Sequence, residues 1–323
     1  MRIDSIRIHN LRSFADTQDI KLRAINVLVG VNSSGKSTFL RTFPLLRQSV
    51  ETITTGPILW YGRYVDFGTF RQAVRTNSKP REITFEFGLA LKENVSGRPF
   101  YFFGMRGLQI LEPLDFSLSL CLGQSDEEGK TTARRISLRS PHDEIVIEAG
   151  EEANIRMIRA NGVDVSENAK PMVFIPGDSL LPQIAVKPDS AVDTEQQQRQ
   201  SWEGPFREIL RDAFRPLLTA RRVKSTTPIE IAHMLGLGSP ESQLKRLKQI
   251  PYGGKVLQRN VADLCVSDPV FVSIRNAVLL ESLVPLLREI DSQLTTLLRS
   301  VRYVGPIRAT AERFYRQQDL AVD

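Results

Sequence analysis

Apolar and polar residues alternate in several short stretches near the start of the chain. Residues 2–8 (RIDSIRI) and 19–22 (DIKL) show this pattern, and the β-branched run 24–29 (AINVLV) leads directly into Gly30. Because successive side chains of a strand point to opposite faces, such alternation predicts β-strands. We therefore predict three short strands before a glycine-containing loop.

A second group of strand-like stretches lies between residues 82 and 176. They are rich in β-branched and aromatic residues and are separated by Gly, Pro, Asn and Asp. The alternation in the third of them predicts a sheet with one face covered and the other in contact with water or a mixed surface. In chain order the stretches are EITFEFGLAL, FYFFGM, LDFSLSLCL, RRISLRS, DEIVIEA, NIRMIRA and PMVFIPG.

Helical spacing follows the glycine-containing loop and returns after residue 202. Apolar residues recur every three or four positions from 39 to 50, which predicts a helix kinked by Pro44. Further helices are predicted at 203–218, 228–236, 240–249 and 274–300. The leucine stripe of the last one, with Pro285 inside it, suits a helix packed in a bundle better than a free coiled-coil arm.

Composition narrows the class of protein. Hydrophobic residues make up 41% of the 323 residues and charged residues 25%, a balance that supports two domains or one large domain with an insertion. No stretch approaches the ~20 apolar residues that cross a bilayer, and the start lacks the apolar core of a signal peptide. We expect a cytoplasmic protein with no membrane partner. Cys121 and Cys265 lie in apolar runs without a CxxC pattern, which predicts two buried, reduced thiols.

The charge balance leaves contact with DNA open. There are 43 Lys and Arg against 37 Asp and Glu, and the sequence pI is about 9.4. Two basic stretches favour a surface that follows phosphates, but a solvated helix face is an equal alternative. They comprise Arg207, Arg211, Arg215, Arg221, Arg222 and Lys224, and then Lys245, Arg246, Lys248, Lys255 and Arg259.

Residues 30–37 (GVNSSGKS) match the pattern G-x-x-x-x-G-K-[ST]. Gly30 and Gly35 permit backbone angles that turn successive N–H groups toward phosphates. The Lys36 ammonium suits the β- and γ-phosphates of a nucleotide, and the Ser37 hydroxyl suits a Mg²⁺ ion. With a predicted strand before the loop and a helix after it, the sequence predicts binding of ATP with Mg²⁺.

A catalytic acid is not found by the same reasoning, so the catalytic residues stay unknown. Hydrolysis usually needs an Asp-Glu pair after four apolar residues to hold Mg²⁺ and orient water. Residues 145–148 (IVIE) fit a surface strand better, and residues 286–291 (LLREID) belong to the predicted long helix. We expect negligible ATP turnover by this chain alone.

The start IRIHNLRSF, followed by INVLVGVNSSGKSTFL, resembles the head of the SMC/RecF/OLD-type ATPases, relatives of the nucleotide-binding domains of ABC transporters. LLRQSVE, GPILWYGRYVDFGTFRQAV and the later RYVGPIRATAERFYR look like a branch of stand-alone bacterial ATPases. That branch occurs in overcoming-lysogeny nucleases and in antiphage systems such as Septu and retron-associated modules. The resemblance covers residues 1–75 and 300–316.

This resemblance implies site residues. It places Arg12 near the nucleotide with Ser13 beside it, although a solvated turn would also explain Arg12. It implies a glutamine that reaches Mg²⁺ or the attacking water, and Gln72 or Gln48 could fill that role. The residues that it assigns to ATP are Asn32, Ser33, Ser34, Gly35, Lys36, Ser37 and Thr38.

The resemblance also implies the architecture. We expect an α/β fold: an ABC-type head lobe with a mixed sheet and a β-rich segment (1–186), a linker (187–201), a helical insertion (202–300) and a return toward the ATPase lobe (301–323). The C-terminal lobe, with the family's signature motif, Asp-Glu strand and switch histidine, is not found in the sequence. Either the chain is a portion of a longer protein or a partner supplies that lobe.

The predicted function follows from a chain that supplies the phosphate loop of an ATP site but not the C-terminal lobe that would complete it. In the family two heads enclose two ATP molecules, so a homodimer or larger complex is expected. The favoured function is an ATPase whose head dimerisation serves DNA sensing or control of an effector nuclease in antiphage defence. The alternatives are a degenerate nucleotide-binding scaffold that holds a toxic effector inactive and, with less support, a small-molecule kinase.

Overall fold

The computed structural model describes residues 1–32, 34–54, 56–92, 108–125, 130–150, 153–169, 172–175, 179–186, 206–251 and 254–304. The predicted strand FYFFGM, the predicted linker 187–201 and most of 301–323 lie outside these residues.

The largest element is an eight-stranded sheet in the order β2-β1-β3-β4-β5-β6-β7-β8. Each pair of neighbouring strands in it is antiparallel. From β3 onward the strands follow the chain as a meander, so no crossover helix is needed between neighbouring strands; the connection from β3 to β4 spans residues 92–113. The strands are β1 (Arg2–His9), β2 (Ile20–Lys21), β3 (Ile83–Leu91), β4 (Leu114–Gln124), β5 (Thr131–Arg139), β6 (Glu144–Ala149), β7 (Ile155–Ala160) and β8 (Val163–Asp164). β9 (Met172–Ile175) and β10 (Gln183–Val186) form a separate antiparallel pair.

Alternation along the strands decides which face of the sheet is buried. In β3 the apolar residues at odd positions from 83 to 91 are buried, whereas the positions between them are only half-buried. β4 continues the same face through Leu118, Leu120 and Leu122. The opposite face carries polar residues such as Glu86, Ser119 and Ser137 in register. The strand predictions for this segment are therefore confirmed wherever the chain is described.

Two helices cover the apolar side of the sheet. α1 (Lys36–Glu51) follows the glycine-containing loop as predicted and includes Pro44. Its partner α10 (Leu283–Ser300) packs against it and buries six apolar side chains in the same core. The leucine stripe thus packs inside the chain, as expected for a packed helix and not for a free coiled-coil arm. The buried residues of α10 are Leu283, Leu286, Leu287, Ile290, Leu294 and Leu298.

The helices between residues 207 and 281 build a second core. It includes the fully buried Phe214 and Phe271. An ion pair ties this part to the β5–β6 turn: Nη2 of Arg275 donates to both carboxylate oxygens of Asp143, at 2.9 and 3.0 Å. The short helices α2 (Phe70–Ala73) and α3 (Ser166–Ala169) lie outside this group. Its members are α4 (Arg207–Phe214), α5 (Ala220–Val223), α6 (Thr227–Leu235), α7 (Pro240–Gln249), α8 (Gly254–Val261) and α9 (Pro269–Glu281).

Three predictions about the fold are wrong in detail. The helix expected at 274–300 is two helices, α9 and α10, which meet at Ser282 with an angle of 49°. Pro285 explains the position of the break: it lies in the first turn of α10, where no backbone N–H is needed for an intrahelical bond. The helix expected at 203–218 spans only Arg207–Phe214 in the described part.

The third error concerns the sheet: the described strands form an antiparallel sheet and not a mixed one. Part of the same error is the strand predicted at 24–29, because these residues adopt no strand. A strand needs a neighbour for its backbone N–H and C=O groups, and none of the described strands pairs with this segment.

No single described helix is long and apolar enough to cross a membrane, and α9 and α10 pass that test only as a bent pair.

Candidate functional site

The two glycines of the loop adopt conformations that other residues avoid. Gly30 has φ 151° and Gly35 has φ 95°. A Cβ at Gly35 would lie 2.6 Å from Cε1 of Phe14 and 3.2 Å from Oγ of Ser13. Gly35 is therefore required both for its backbone angle and for the close approach of the turn that follows β1.

The start of α1 leaves its first N–H groups open. Gly35 is the N-cap residue, no side chain caps the helix, and the first turn carries no acidic residue. An uncapped helix start concentrates partial positive charge and unused donors, which together attract an anion. The loop thus delivers the positive end of a 16-residue helix to the place where the sequence predicts phosphates.

Lys36 is held inside the loop by oxygen atoms. Its Nζ donates to the carbonyls of Gly30 and Val31, each at 2.6 Å, and lies 3.4 Å from Oγ of Ser34. Carbonyl dipoles are weaker partners for an ammonium than a charged phosphate. The lysine is therefore positioned at the centre of the loop and can exchange these neutral acceptors for an anion.

Arg12 lies in the turn that packs on this loop. Its φ is 54°, and its backbone N–H donates to the carbonyl of Ala73 at 2.7 Å. Its guanidinium lies 5.3 Å from the ring centroid of Phe67. Arg41 of α1 approaches the same ring at 5.5 Å. Ser13 contacts the position of Gly35. Ser13 thus packs on the loop at Gly35, whereas the guanidinium of Arg12 shares the ring of Phe67 with Arg41, a cluster that the sequence patterns did not reveal. The role of Arg12 at the nucleotide stays a prediction.

The remaining loop residues are arranged as follows. Asn32, Ser34 and Ser37 are exposed. Thr38 is half-buried, and its carbonyl accepts a 2.9 Å hydrogen bond from Thr42. Ser33 lies outside the described residues. Asn32, Ser34 and Ser37 therefore face solvent at the start of α1, and the assignment of the loop residues to ATP stays a prediction.

Gln48 cannot be the magnesium ligand. Its side chain is 2% exposed, its Nε2 donates to the carbonyls of Leu59 and Val65, and its Oε1 accepts from the N–H groups of Tyr64 and Val65. Both N–H donors and both acceptor positions of the amide are thus used to hold the loop after α1. A buried, fully bonded amide has no free oxygen for an ion, so this alternative is wrong.

Gln72 is exposed at the start of α2. Its Oε1 accepts a hydrogen bond from the N–H of Thr69 at 3.0 Å and completes a capping box there. A second lone pair on the amide oxygen remains for another partner, because a carbonyl oxygen has two. Its role at Mg²⁺ stays a prediction.

The carboxylates considered as catalytic acids have structural partners. Glu148 on β6 accepts from Arg156 at 2.8 Å, and Asp291 on α10 accepts from the N–H of Leu181 at 2.9 Å. The structure confirms that residues 145–148 belong to a strand and residues 286–291 to a helix. Among the described ranges, no three His, Cys, Asp or Glu side chains come together as a metal site.

The basic stretches of the helical part are used partly for internal contacts. Arg215 pairs with Asp212 at 2.5 Å, Arg246 donates to the carbonyl of Met234, and Lys248 donates to that of Ala262. The Nε of Arg211 is buried. These contacts fit a helix surface, and contact with DNA through these residues stays a prediction.

The two thiols differ in environment. Both are free, but only Cys121 is buried, so the prediction of two buried cysteines is wrong for Cys265. Burial, together with neighbouring Glu82, raises the pKa of Cys121 to about 11. Cys265 lies in the turn before α9, where Ser267 hydrogen-bonds to it and lowers its pKa.

Comparison with known proteins gives a family similarity for the part of the chain that carries the loop. No curated protein matches the chain. Residues 1–148, which include the loop, α1 and the strands through β6, match the family model described as AAA ATPase domain. This similarity, together with the loop geometry, supports a nucleotide-binding ATPase of the P-loop class.

Proposed function

We propose that this chain is an SMC/RecF/OLD-like ATPase in which ATP-driven association of two heads serves DNA sensing or the control of an effector nuclease in antiphage defence. The observation that carries the proposal is the position of Lys36, centred in a loop whose conformation depends on Gly30 and Gly35. The similarity of residues 1–148 to the AAA ATPase domain is its second support.

The residues fit ATP and Mg²⁺. A Cβ would fill the space at Gly35, and the first turn of α1 has no acid to repel phosphate. Among the described residues, the partners of the Lys36 ammonium are neutral oxygens. Ser37 and Gln72 would hold Mg²⁺, whose chemistry is to neutralise charge on the phosphates. The side chains of Asn32, Ser34 and Thr38 would complete the polar rim.

Each protein group has a defined task in this proposal. Lys36 exchanges the carbonyls of Gly30 and Val31 for phosphate oxygens, and the N–H groups at the start of α1 orient them. Arg12 and Arg41, stacked on Phe67, supply further positive charge at the edge of the loop. Together these groups bind and orient the triphosphate, while water has access from the open side.

The open side is the reason to propose a second head. Residues 25–32 and 34 are exposed or half-buried, so a nucleotide on this loop would face solvent. A covering surface would exclude water and strengthen each charge interaction. A homodimer through the heads, or a larger complex with an effector nuclease, would supply such a surface.

The test begins with the lysine. We expect Lys36→Ala to weaken ATP·Mg²⁺ binding at least ~10-fold, because a cation facing several phosphate oxygens is lost. Isothermal titration calorimetry measures this directly. Lys92→Ala, which removes an exposed lysine at the end of β3, is the matched control. Equal affinity in all three proteins would refute the site.

Light scattering then tests assembly. We expect ATP to increase the mass of the parent protein and to leave Lys36→Ala unchanged. A particle of constant mass that still hydrolyses ATP would refute association of two heads.

A second candidate, a nucleotide-binding scaffold that holds a toxic effector inactive, is favoured by the structural roles of Glu148 and Asp291. Tight ATP binding with no turnover, even in the assembled state, would select this function over the ATPase. Turnover by the chain alone that depends on Lys36 would show instead that an acid was overlooked.

A further inference from the structure

A polar cleft of about 620 Å³ lies at one end of the sheet, away from the residues of the phosphate loop. It is formed where β4 and β6 end and β5 and β7 begin, beside α2. Its wall is the polar face of the sheet, opposite the face that packs on α1. Five arginines line it: Arg71, Arg81, Arg134, Arg135 and Arg156.

Four of these arginines are held by two acceptors. The side-chain oxygen of Gln124 accepts from Nε of Arg71 at 3.1 Å, and its backbone carbonyl accepts from Arg134 at 2.6 Å. Glu148 accepts from Arg156 at 2.8 Å and lies 3.8 Å from Arg135. Each acceptor uses part of the five donors of a guanidinium. The cations are thus oriented while donors remain for a ligand.

Arg81 completes the group from the chain that leads into β3. It is exposed, and no partner for it is found in the part of the chain that the structure describes. A guanidinium that lines the cleft and has no partner among the described residues is available to a ligand. Arg81 is therefore the residue whose substitution changes the cleft with the least effect on the fold.

The charge of the cleft favours an anion with several negative groups. Two carboxylates, Glu82 and Glu148, line it against the five arginines, which leaves an excess of three positive charges. Glu82 accepts from Cys121 at 3.2 Å, and Glu148 is paired as described above. The lining contains no lysine, and the planar fork of arginine is the better match for phosphate oxygens.

The volume of the cleft favours a small or single-stranded ligand. At about 620 Å³ it lies within the usual ~300–1,000 Å³ of small-molecule pockets, which is too little space to enclose a duplex. A single strand of nucleic acid can place consecutive phosphates inside it, and so can a short free polyphosphate. Both present the same chemistry, a row of phosphate groups.

We propose that the arginine cleft binds a row of consecutive phosphates, as in single-stranded nucleic acid, at a site separate from the phosphate loop. This inference rests on the proposed function in that it gives the DNA contact a location in the described fold. Binding in the cleft does not require ATP, so this proposal and the proposal of ATP binding at the phosphate loop can be refuted separately.

The test uses fluorescence anisotropy of a labelled oligothymidylate and calorimetry with inorganic tripolyphosphate. We expect Arg71→Glu combined with Arg81→Glu to weaken binding of at least one probe by ~10-fold or more and to reduce its salt dependence, because fewer phosphates are neutralised. Arg81→Glu alone should give part of the effect. Unchanged thermal unfolding of the single variant establishes that the fold is intact.

Arg2→Glu is the matched control. Arg2 is an exposed arginine on β1 that pairs with Ala90, at the end of β3 farthest from the cleft. We expect this variant to bind both probes as the parent does. Lys36→Ala should lose ATP but keep the oligonucleotide, which separates a failure of the cleft from a failure of the loop.

The outcomes divide clearly. Arginine-dependent binding of oligothymidylate identifies nucleic acid as the source of the phosphates, and dependence for tripolyphosphate alone identifies a small polyphosphate. Binding of neither probe, or equal binding by the double variant, overturns the proposal. Displacement of the probe by poly-glutamate at equal charge, with the same arginine dependence, would overturn the preference for phosphate.

Discussion

Two stretches of the chain have the same alternation of apolar residues and opposite exposure. In β3 the alternating residues are at most 2% exposed, and in the segment 25–31 they are at least 78% exposed. The first set is Ile83, Phe85, Phe87, Leu89 and Leu91; the second is Ile25, Val27, Val29 and Val31.

The difference lies in the neighbours of each stretch. β3 is hydrogen-bonded to β1 on one side and to β4 on the other, and helices cover its apolar face. The segment 25–31 has no paired strand among the residues that the structure describes. An alternating pattern makes a stretch suitable for a sheet, but only a partner strand satisfies its backbone groups and allows its side chains to be buried.

The largest effect on stability is predicted for a pair of variants, one in each stretch. We expect Phe85→Ala to lower the free energy of unfolding by about 3–5 kcal/mol, because a fully buried ring is lost and a cavity remains. Val27→Ala, at an exposed site, should change it by less than about 0.5 kcal/mol. Chemical denaturation of both variants measures the difference. Similar losses would show that the segment 25–31 is buried in solution.

A smaller effect is expected at the glycine that joins this segment to α1. Gly35→Ala must adopt φ 95°, which costs about 1–2 kcal/mol, and its Cβ would also collide with Phe14. We expect reduced stability together with loss of ATP binding, measured by thermal unfolding and calorimetry.

Gly162→Ala is the control for that variant. Gly162 has φ 80° but no atom within 4 Å of the added Cβ, so it reports the strain without the collision. It should keep full ATP binding. Loss of ATP binding in this variant, or retention in Gly35→Ala, would contradict the role of the loop.

The smallest effect is a change in the pH dependence of stability, at an ion pair made by β1, the strand that pairs with β3. Hydrogen bonds from Arg7 hold the pKa of the Asp16 carboxyl well below its usual range, while His9 and Glu86 lie nearby. A lowered pKa in the folded state adds stability above the unfolded pKa of ~3.9, and this stability is lost as the pH falls.

Asp16→Asn should therefore destabilise the protein at pH 7 and flatten the loss of stability below about pH 4. Urea denaturation across this pH range measures the change. An unaltered acid limb in Asp16→Asn would show that the ion pair is not formed.

Particular residues show how far sequence reasoning reaches at the site. The spacing of Gly30, Gly35 and Lys36 predicted the loop because each residue has a local task. Arg41 and Phe67 gave no such signal, since they meet only when α1 packs on the loop that follows it. Gln48 and Gln72 could not be separated by position; burial and four hydrogen bonds made Gln48 a structural residue.

The sequence by itself determined the elements whose cause is local: the alternating strands from β3 to β7, the glycine-dependent loop and the start of α1. It also identified the unusual segment 24–29 as strand-like, although it could not show whether a neighbour is present. Only the tertiary structure decided the antiparallel order of the sheet, the break at Ser282 and the gathering of five arginines from α2, the approach to β3, β5 and β7. Those features depend on contacts between residues far apart in the chain, and periodicity carries no information about such contacts.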